Sequence, residues 1–369
     1  MKDAGYDIMI SAYYGLEPGG LLTTHGIPVL PSKLGSFGEH SLKYWIQLYK
    51  RNVALLHTDP WAFPWFPTLD AYTVSYGPFD SYNYPEEIVN IMRQYQLLIA
   101  PSKFQVREWR KYGVEYRYIP HGVDTSVYHP IEQSVAREKT KMPQDKFIIG
   151  IVGANSDKEI RKGYPRMFKA IRYFLDQNPD AWKDLRLYIH TNPVDSRGIN
   201  IDLFLKKRGL REISALEDPN IHQLGFTEDE MCYLYNSFDI LLHTSMREGF
   251  GLCIIESEAC GTPVITHEST SQTELVKGHG WLAKSLTVDL NLIDTPINAE
   301  TPIPDVYSIA ECIEDAYNHP EKIEKYSREC RKFALQYDWN KVFVDYWIPI
   351  LEELEEELSD LPIERRRIK

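Results

Sequence analysis

Two glutamates with seven residues between them, Glu248 and Glu256, bracket Gly249, Phe250, Gly251 and Leu252. A helix that starts in this run presents free amide N–H groups and the positive end of its dipole, and glycine lets an anion approach the backbone closely. A phosphate suits such a turn. One carboxylate would then stand at the mouth of a pocket and the other one turn deeper. A pyrophosphate between two acceptor groups fits a nucleotide on one side and a sugar on the other. A lone glutamate near a helix start is usually just solvated; this pair, around a glycine turn, favours the binding reading. Arg161 and Lys162 precede Gly163 and a second helix start. Two adjacent cations there suit a pyrophosphate better than a structural ion pair.

These residues need strands and helices to bring them together. The apolar run 238–243 reads as a buried parallel strand that delivers the chain to the glycine turn, with a helix over about 252–260 ending at Gly261. Thr262 and Pro263 then turn into a second buried strand, 264–266. Upstream, 147–153 reads as a strand, 154–163 as a loop carrying Arg161 and Lys162, and 164–176 as a helix. The Gly150-x-x-Gly153 spacing is a weak dinucleotide signal, with no acidic residue where a nicotinamide cofactor would need one. Strand 185–191 and helix 201–208 continue the alternation. The run 221–226 is expected to end a strand in a glycine turn, and helix 228–236 to feed the strand before Glu248. A polar loop at 270–274 opens another helix, where hydroxyls either cap locally or meet a ligand.

The earlier part of the chain alternates in the same way. Residues 7–14 and 23–30 read as strands around a turn at 15–20, and 38–51 as a helix. Strand 53–59 ends with His57 and Asp59 at a carboxyl edge, where open α/β sheets hold ligands. The loop 60–67 is aromatic and proline-stiffened, suited to stacking on a sugar or to burial under the domain edge. Strand 72–76, helix 85–95, strand 97–102 and helix 103–112 follow, and 116–124 closes this half. A polar stretch at 132–146 reads as a linker. After a helix pair from Val306, a final helix from Trp339 carries an apolar stripe including Val342, Trp347, Ile350 and Leu354. That stripe fits either packing on the first half or an oligomer seam. The acidic then basic tail reads as a solvated end.

The block E-G-F-G-L-x3-E-x-x-A-C-G-T-P-V, which contains both glutamates, resembles the signature of the retaining, two-Rossmann-domain glycosyltransferases of family four. That family includes many mannosyl- and glucosyltransferases. The resemblance spans about 7–347, is specific over 247–266 and looser elsewhere; the I-P-H-G-V-D-T block at 119–125 resembles the family's inter-domain turn. It implies an α/β fold of two Rossmann-like domains facing across a cleft (GT-B). The first, acceptor-side domain would cover 1–133, the linker 134–146, the nucleotide-sugar domain 147–338, and a helix returning to the first domain, plus tail, 339–369. Family members open with an earlier strand, a glycine-rich loop and a helix. Here these are expected to be missing, through truncation or with Pro18, Gly19 and Gly20 serving as the loop.

The resemblance also implies roles. Glu248, Lys162 and Arg161 would be catalytic, with Arg161 in place of an arginine that the family carries several residues upstream. Gly249, Phe250, Gly251, Leu252 and Glu256 would bind the donor, with Gly225 and Phe226 at the base and Ser271 and Gln272 at phosphate or sugar. His57, Asp59 and His121 would face the acceptor. The implied reaction is retaining transfer of a hexose, mannose or glucose, from a nucleoside-diphosphate sugar to a hydroxyl acceptor, with no metal or further cofactor. A sugar-nucleotide epimerase or phosphorylase on the same fold, or a non-catalytic binding module, are the other readings.

Composition sets outer limits. At 369 residues, 43% apolar and 25% charged, the chain suits two globular cores. A formal charge of −12 argues against nucleic-acid partners. Five cysteines without a C-x-x-C suggest neither a disulfide framework nor a zinc knuckle. Reduced thiols and the lack of a long apolar run suit a cytoplasmic protein.

Overall fold

The computed structural model describes residues 1–12, 22–32, 36–156, 161–286 and 293–359. Strands β1 (Ile10–Ser11), β2 (Leu22–Thr24) and β3 (Ile27–Leu30) form a small sheet, followed by α1 (Glu39–Tyr49). A four-stranded parallel sheet comes next, β4 (Val53–Leu56), β5 (Tyr72–Ser75), β6 (Leu97–Ala100) and β7 (Arg117–Tyr118), in sequential order. Helices α2 (Glu86–Met92) and α3 (Lys103–Arg110) make its crossovers. Ile88, Val89, Met92 and Trp109 bury their side chains in the core of this half.

The second half is built on six parallel strands: β8 (Phe147–Val152), β9 (Leu185–His190), β10 (Ser214–Leu216), β11 (Ile240–Leu242), β12 (Val264–His267) and β13 (Trp281–Ala283). Their order is β10-β9-β8-β11-β12-β13, the doubly wound order whose direction reverses between β8 and β11. Every residue of β8 after Phe147 is buried, as expected of a central parallel strand covered on both faces. One face is packed by α5 (Tyr164–Gln177) through Met167, Phe168, Ile171 and Phe174. The other is packed by α9 (Glu228–Asn236) and α10 (Leu252–Ala259) through Leu234, Tyr235, Ile254 and Ile255, while α6 (Ala181–Asp184), α7 (Ile201–Arg208) and α11 (Gln272–Val276) lead into β9, β10 and β13. The expected pair of Rossmann-like sheets is therefore present.

The linker has structure of its own, and the reading of 221–226 needs correction. The polar linker carries α4 (Gln133–Thr140), whose Ala136 and Arg137 are buried. Arg137 turns inward because Asp239 meets its guanidinium at 2.7 Å and the Ser237 carbonyl accepts from its Nε at 3.0 Å. The stretch 221–226 is not the end of a strand: α8 (Pro219–Leu224) occupies it, and the strand lies earlier, at β10. Asp218 caps this helix by accepting from the Asn220 amide, and Pro219 fits its first turn. The turn at 15–20 with Pro18, Gly19 and Gly20, loop residues 157–160 and the basic end of the tail lie outside the described residues.

Beyond β13, the hairpin β14 (Ile293–Asp294) and β15 (Glu300–Thr301) leads to α12 (Val306–Asn318) and α13 (Pro320–Ala334). The chain passes from the first half to the second at 119–124 and returns at 337–339. Tyr337 O accepts from the Val123 amide at 2.8 Å, and Val123 O from the Trp339 amide at 3.1 Å. Gly122 is required there, since a Cβ would collide with the Trp339 ring. The final helix, broken by a π-type turn at Phe343–Trp347, packs Val342, Trp347, Ile350 and Leu354 against Val74, Tyr76, Ile99 and Ile119 of the first half. Trp339 and Val344 remain exposed. No helix among the described residues is long and apolar enough to cross a membrane.

Candidate active site at the switch point

Where the strand order reverses, the loops after β8 and β11 diverge and leave a crevice. Arg161 and Lys162 come from the first loop and residues 247–251 from the second. Close backbone contact locks the loops together. The Met246 amide donates to Arg161 O at 2.7 Å, and the Ser245 hydroxyl to the same oxygen at 3.2 Å. Gly163 has φ +73° and sits where a Cβ would collide with the Thr244 carbonyl oxygen, so glycine alone permits this approach.

The second loop ends in Gly251, at φ +112°, where α10 begins. The Ile254 and Ile255 amides donate to Gly251 O at 3.0 and 3.3 Å. The Leu252 and Cys253 amides thus precede the first intrahelical bonds and belong to the donor-rich end of the helix. From behind, Ser271 Oγ stands 2.7 Å from Glu248 O and 2.8 Å from Phe250 O, and Thr270 Oγ1 accepts from the Glu248 amide at 3.0 Å. Gln272 Nε2 donates to Ser245 O at 2.6 Å.

Glu248 is the electrostatic centre. Its carboxylate meets Lys162 Nζ at 2.5 Å, His243 Nε2 at 3.0 Å and Arg161 Nη1 at 3.7 Å. Burial alone would raise this carboxyl, but Lys162, His243 and Arg161 together hold it well below the usual range. Burial likewise opposes charge on His243, yet the Cys253 sulfur, 3.3 Å from Nδ1, and Glu248 raise it to about 9.

The first half closes the crevice into a cavity of about 520 Å³, within the usual range for small-molecule sites. Asp59, Trp61, Pro78, Asp80 and His121 form this wall; Arg161, Lys162 and residues 247–253 form the other. Pro296 and Ile297, at the tip of the β14–β15 hairpin, complete it. That hairpin also pairs with the first half, since Tyr82 and Glu300 exchange backbone bonds of 2.8 and 2.7 Å. Gly249 abuts Pro78 so closely that a Cβ would collide with the Pro78 Cβ, and Arg247 Nε lies 3.4 Å from Asp80 Oδ2. Burial and the nearby Asp80 raise Asp59 to about 6, against the pull of Arg161 and Arg247. Burial and His57 lower His121 to about 3, so it is neutral near pH 7. Its ring meets Phe250 edge-on at 5.3 Å, and its Nδ1 lies 2.8 Å from the Tyr76 hydroxyl.

Of the residues singled out in the sequence, Glu248, Lys162, Arg161, Gly249, Phe250, Gly251, Leu252, Asp59 and His121 line this cavity. The others stand elsewhere. Glu256 is half-buried one turn into α10, where it accepts from the Tyr235 hydroxyl at 2.8 Å. Ser271 and Gln272 are fully buried behind the loop, committed to its backbone. His57 is exposed and stacks on Tyr76. Gly225 is exposed after α8, and Phe226 packs edge-on against His190 at 4.8 Å. Sequence reasoning missed His243, Asp80, Arg247 and the β14–β15 hairpin. A histidine closing a strand five residues before Glu248 was the only hint of the first.

Residues 147–291 match the family described as glycosyl transferases group 1. D-inositol 3-phosphate glycosyltransferase from Acidothermus cellulolyticus is 26% identical over 203 residues, covering 52% of this chain and 44% of that protein. Its namesake from Paenarthrobacter aurescens is 25% identical over 248 residues, covering 67% and 53%. The chain spans about half the length of these curated relatives. Among solved structures, sucrose-phosphate synthase from Thermosynechococcus elongatus superposes with a TM-score of 0.74 at 17% identity, over 97% of this chain and 90% of that one. Anabaena HepE, in complex with UDP and glucose, has a TM-score of 0.61 at 18% identity, over 91% and 87%. The architecture is that of the GT-B glycosyltransferases. Within it, the group 1 match falls on the second half, which carries Arg161, Lys162 and Glu248.

Proposed function

We propose that the chain is a retaining glycosyltransferase of the E-x7-E type, moving a hexose, mannose or glucose, from a nucleoside-diphosphate sugar to a hydroxyl acceptor. The observation that carries this reading is the meeting of Lys162, Arg161 and Glu248 at the start of α10, inside a cavity closed by both halves. The donor diphosphate would lie against the amides at 249–252, with Arg161 and Lys162 neutralising it. As the bond from the anomeric carbon to the phosphate oxygen breaks, negative charge grows on the phosphate, and cations and amide dipoles fixed there stabilise the transition state most. The acceptor oxygen attacks the same face and its proton passes to a donor phosphate oxygen. Glu248 holds the transferred sugar's hydroxyls, and Glu256, deeper along α10, the ribose. Because these groups carry the charge, the reaction needs no metal at the diphosphate.

The UDP and glucose held by HepE support a nucleotide-sugar donor, and the names of the curated relatives support glycosyl transfer. The test is nucleoside-diphosphate release from UDP-, GDP- and ADP-hexoses with and without hydroxyl acceptors. Release that needs acceptor supports transfer. Acceptor-independent isomerisation would establish an epimerase, phosphate-dependent cleavage a phosphorylase, and binding without turnover a binding module.

A further inference from the structure

Three potential ligands converge beyond the carboxyl ends of β9 and β10. His190 ends β9, Glu217 follows β10, and His222 lies on α8. Glu217 Oε2 is 3.1 Å from His190 Nδ1 and 2.9 Å from His222 Nδ1, and one ligand atom from each residue falls within 4.8 Å of the others. The helical turn started by Asp218 and Pro219 folds His222 back onto Glu217.

We propose that His190, Glu217 and His222 bind a divalent transition-metal ion, zinc on the chemistry of the set. Two imidazoles and a carboxylate around a tetrahedral zinc stand roughly 3.4 Å apart, given metal–ligand bonds of about 2.0–2.2 Å; the two Glu217 contacts would widen slightly and the histidine pair, within 4.8 Å, would settle near the same spacing. A purely structural triad would satisfy its buried polar atoms, and this one does not. Glu217 is only 5% exposed, yet its Oε1 is buried without a hydrogen-bond partner. A buried carboxylate calls for a compensating charge, which a dication supplies while giving Oε1 a partner. Phe226 covers His190 on one side, and the half-exposed His222 leaves a route for the ion. None of the three residues lines the cleft cavity.

The test uses protein without a histidine tag, loaded with zinc chloride, dialysed, and assayed for metal by mass spectrometry, with cobalt(II) absorption reporting the geometry. Wild type is expected to retain about one zinc per chain, with a melting temperature that rises on loading and falls back with chelator. H222A and E217Q should retain at least tenfold less at unchanged far-ultraviolet circular dichroism. Wild type that retains no stoichiometric zinc, or variants that retain as much as wild type, would overturn the site. Should a variant fail to fold, wild-type stoichiometry and a tetrahedral cobalt spectrum decide.

Discussion

Replacing Glu248 by glutamine is the sharpest perturbation of the cleft. The side chain keeps its shape and loses its charge, so Lys162 at 2.5 Å and His243 at 3.0 Å lose their anionic partner. His243 then keeps the Cys253 sulfur and the Val152 carbonyl oxygen, each 3.3 Å from Nδ1, against the burial that disfavours its charge. Its proton leaves more readily, which offsets the missing negative charge. The field that a diphosphate meets therefore changes little, and nucleoside-diphosphate affinity should stay within about threefold of wild type. Transfer should behave differently. A hydrogen bond to a charged acceptor contributes about 1.5–3 kcal/mol net; one aimed at charge developing on the reacting sugar sits at the upper end, on the order of 100-fold in rate. Titration calorimetry with the diphosphate and nucleotide-release kinetics with donor and acceptor separate the two effects. Transfer within tenfold of wild type would refute the reasoning, as would equal losses of affinity and transfer. The broken ion pair should also lower stability by about 1–3 kcal/mol in urea titrations.

Other perturbations read different parts of the site. Lys162→Ala should weaken nucleotide-sugar binding and lower transfer by on the order of 100-fold, as expected for loss of a charge-assisted phosphate contact; undiminished binding would show that Arg161 suffices. Asp59, raised to about 6, is protonated below that pH and stops repelling the donor, so affinity for an intact nucleotide sugar should rise from pH 7.5 to 5.5 in wild type and stay flat in Asp59→Asn. The linkage sign agrees: with its folded pKa above the unfolded 3.8, Asp59 contributes most to stability at low pH and loses that contribution as pH rises through 6, so the asparagine variant should be the more stable at pH 7.5. Gly249→Ala drives a methyl into Pro78 across the cleft and should cost about 1–3 kcal/mol in chemical denaturation.

What could be read from the sequence was what is local. The glycines, Glu248 and the Arg161–Lys162 pair sit at strand-to-helix turns, and residue type with spacing is enough to find such turns. Long-range partners left no such mark. His243 and Asp80 matter because of what folds onto them, and the β14–β15 hairpin reaches the site only because its backbone pairs with Tyr82. Residue type also misled. Ser271 and Gln272 have groups that suit a ligand, but the loop before α10 takes their donors for its own carbonyls. At 221–226 the expected strand end is a helix, set by the cap at Asp218–Pro219. Charge mixing at 132–146 gave no sign that Arg137 would be drawn inward by Asp239.

The two passages of backbone between the halves lie side by side, stitched by Val123, Tyr337 and Trp339. A body tethered at one point can tumble; one tethered at two adjacent points swings about the line that joins them. Any widening of the crevice is thus a rotation, and the pairs Asp80 with Arg247 and Tyr82 with Glu300 must part in concert rather than slide past one another. Gly122 sits on that axle, pressed against the Trp339 ring. A bulkier residue there would jam the rotation while leaving every ligand-facing group untouched.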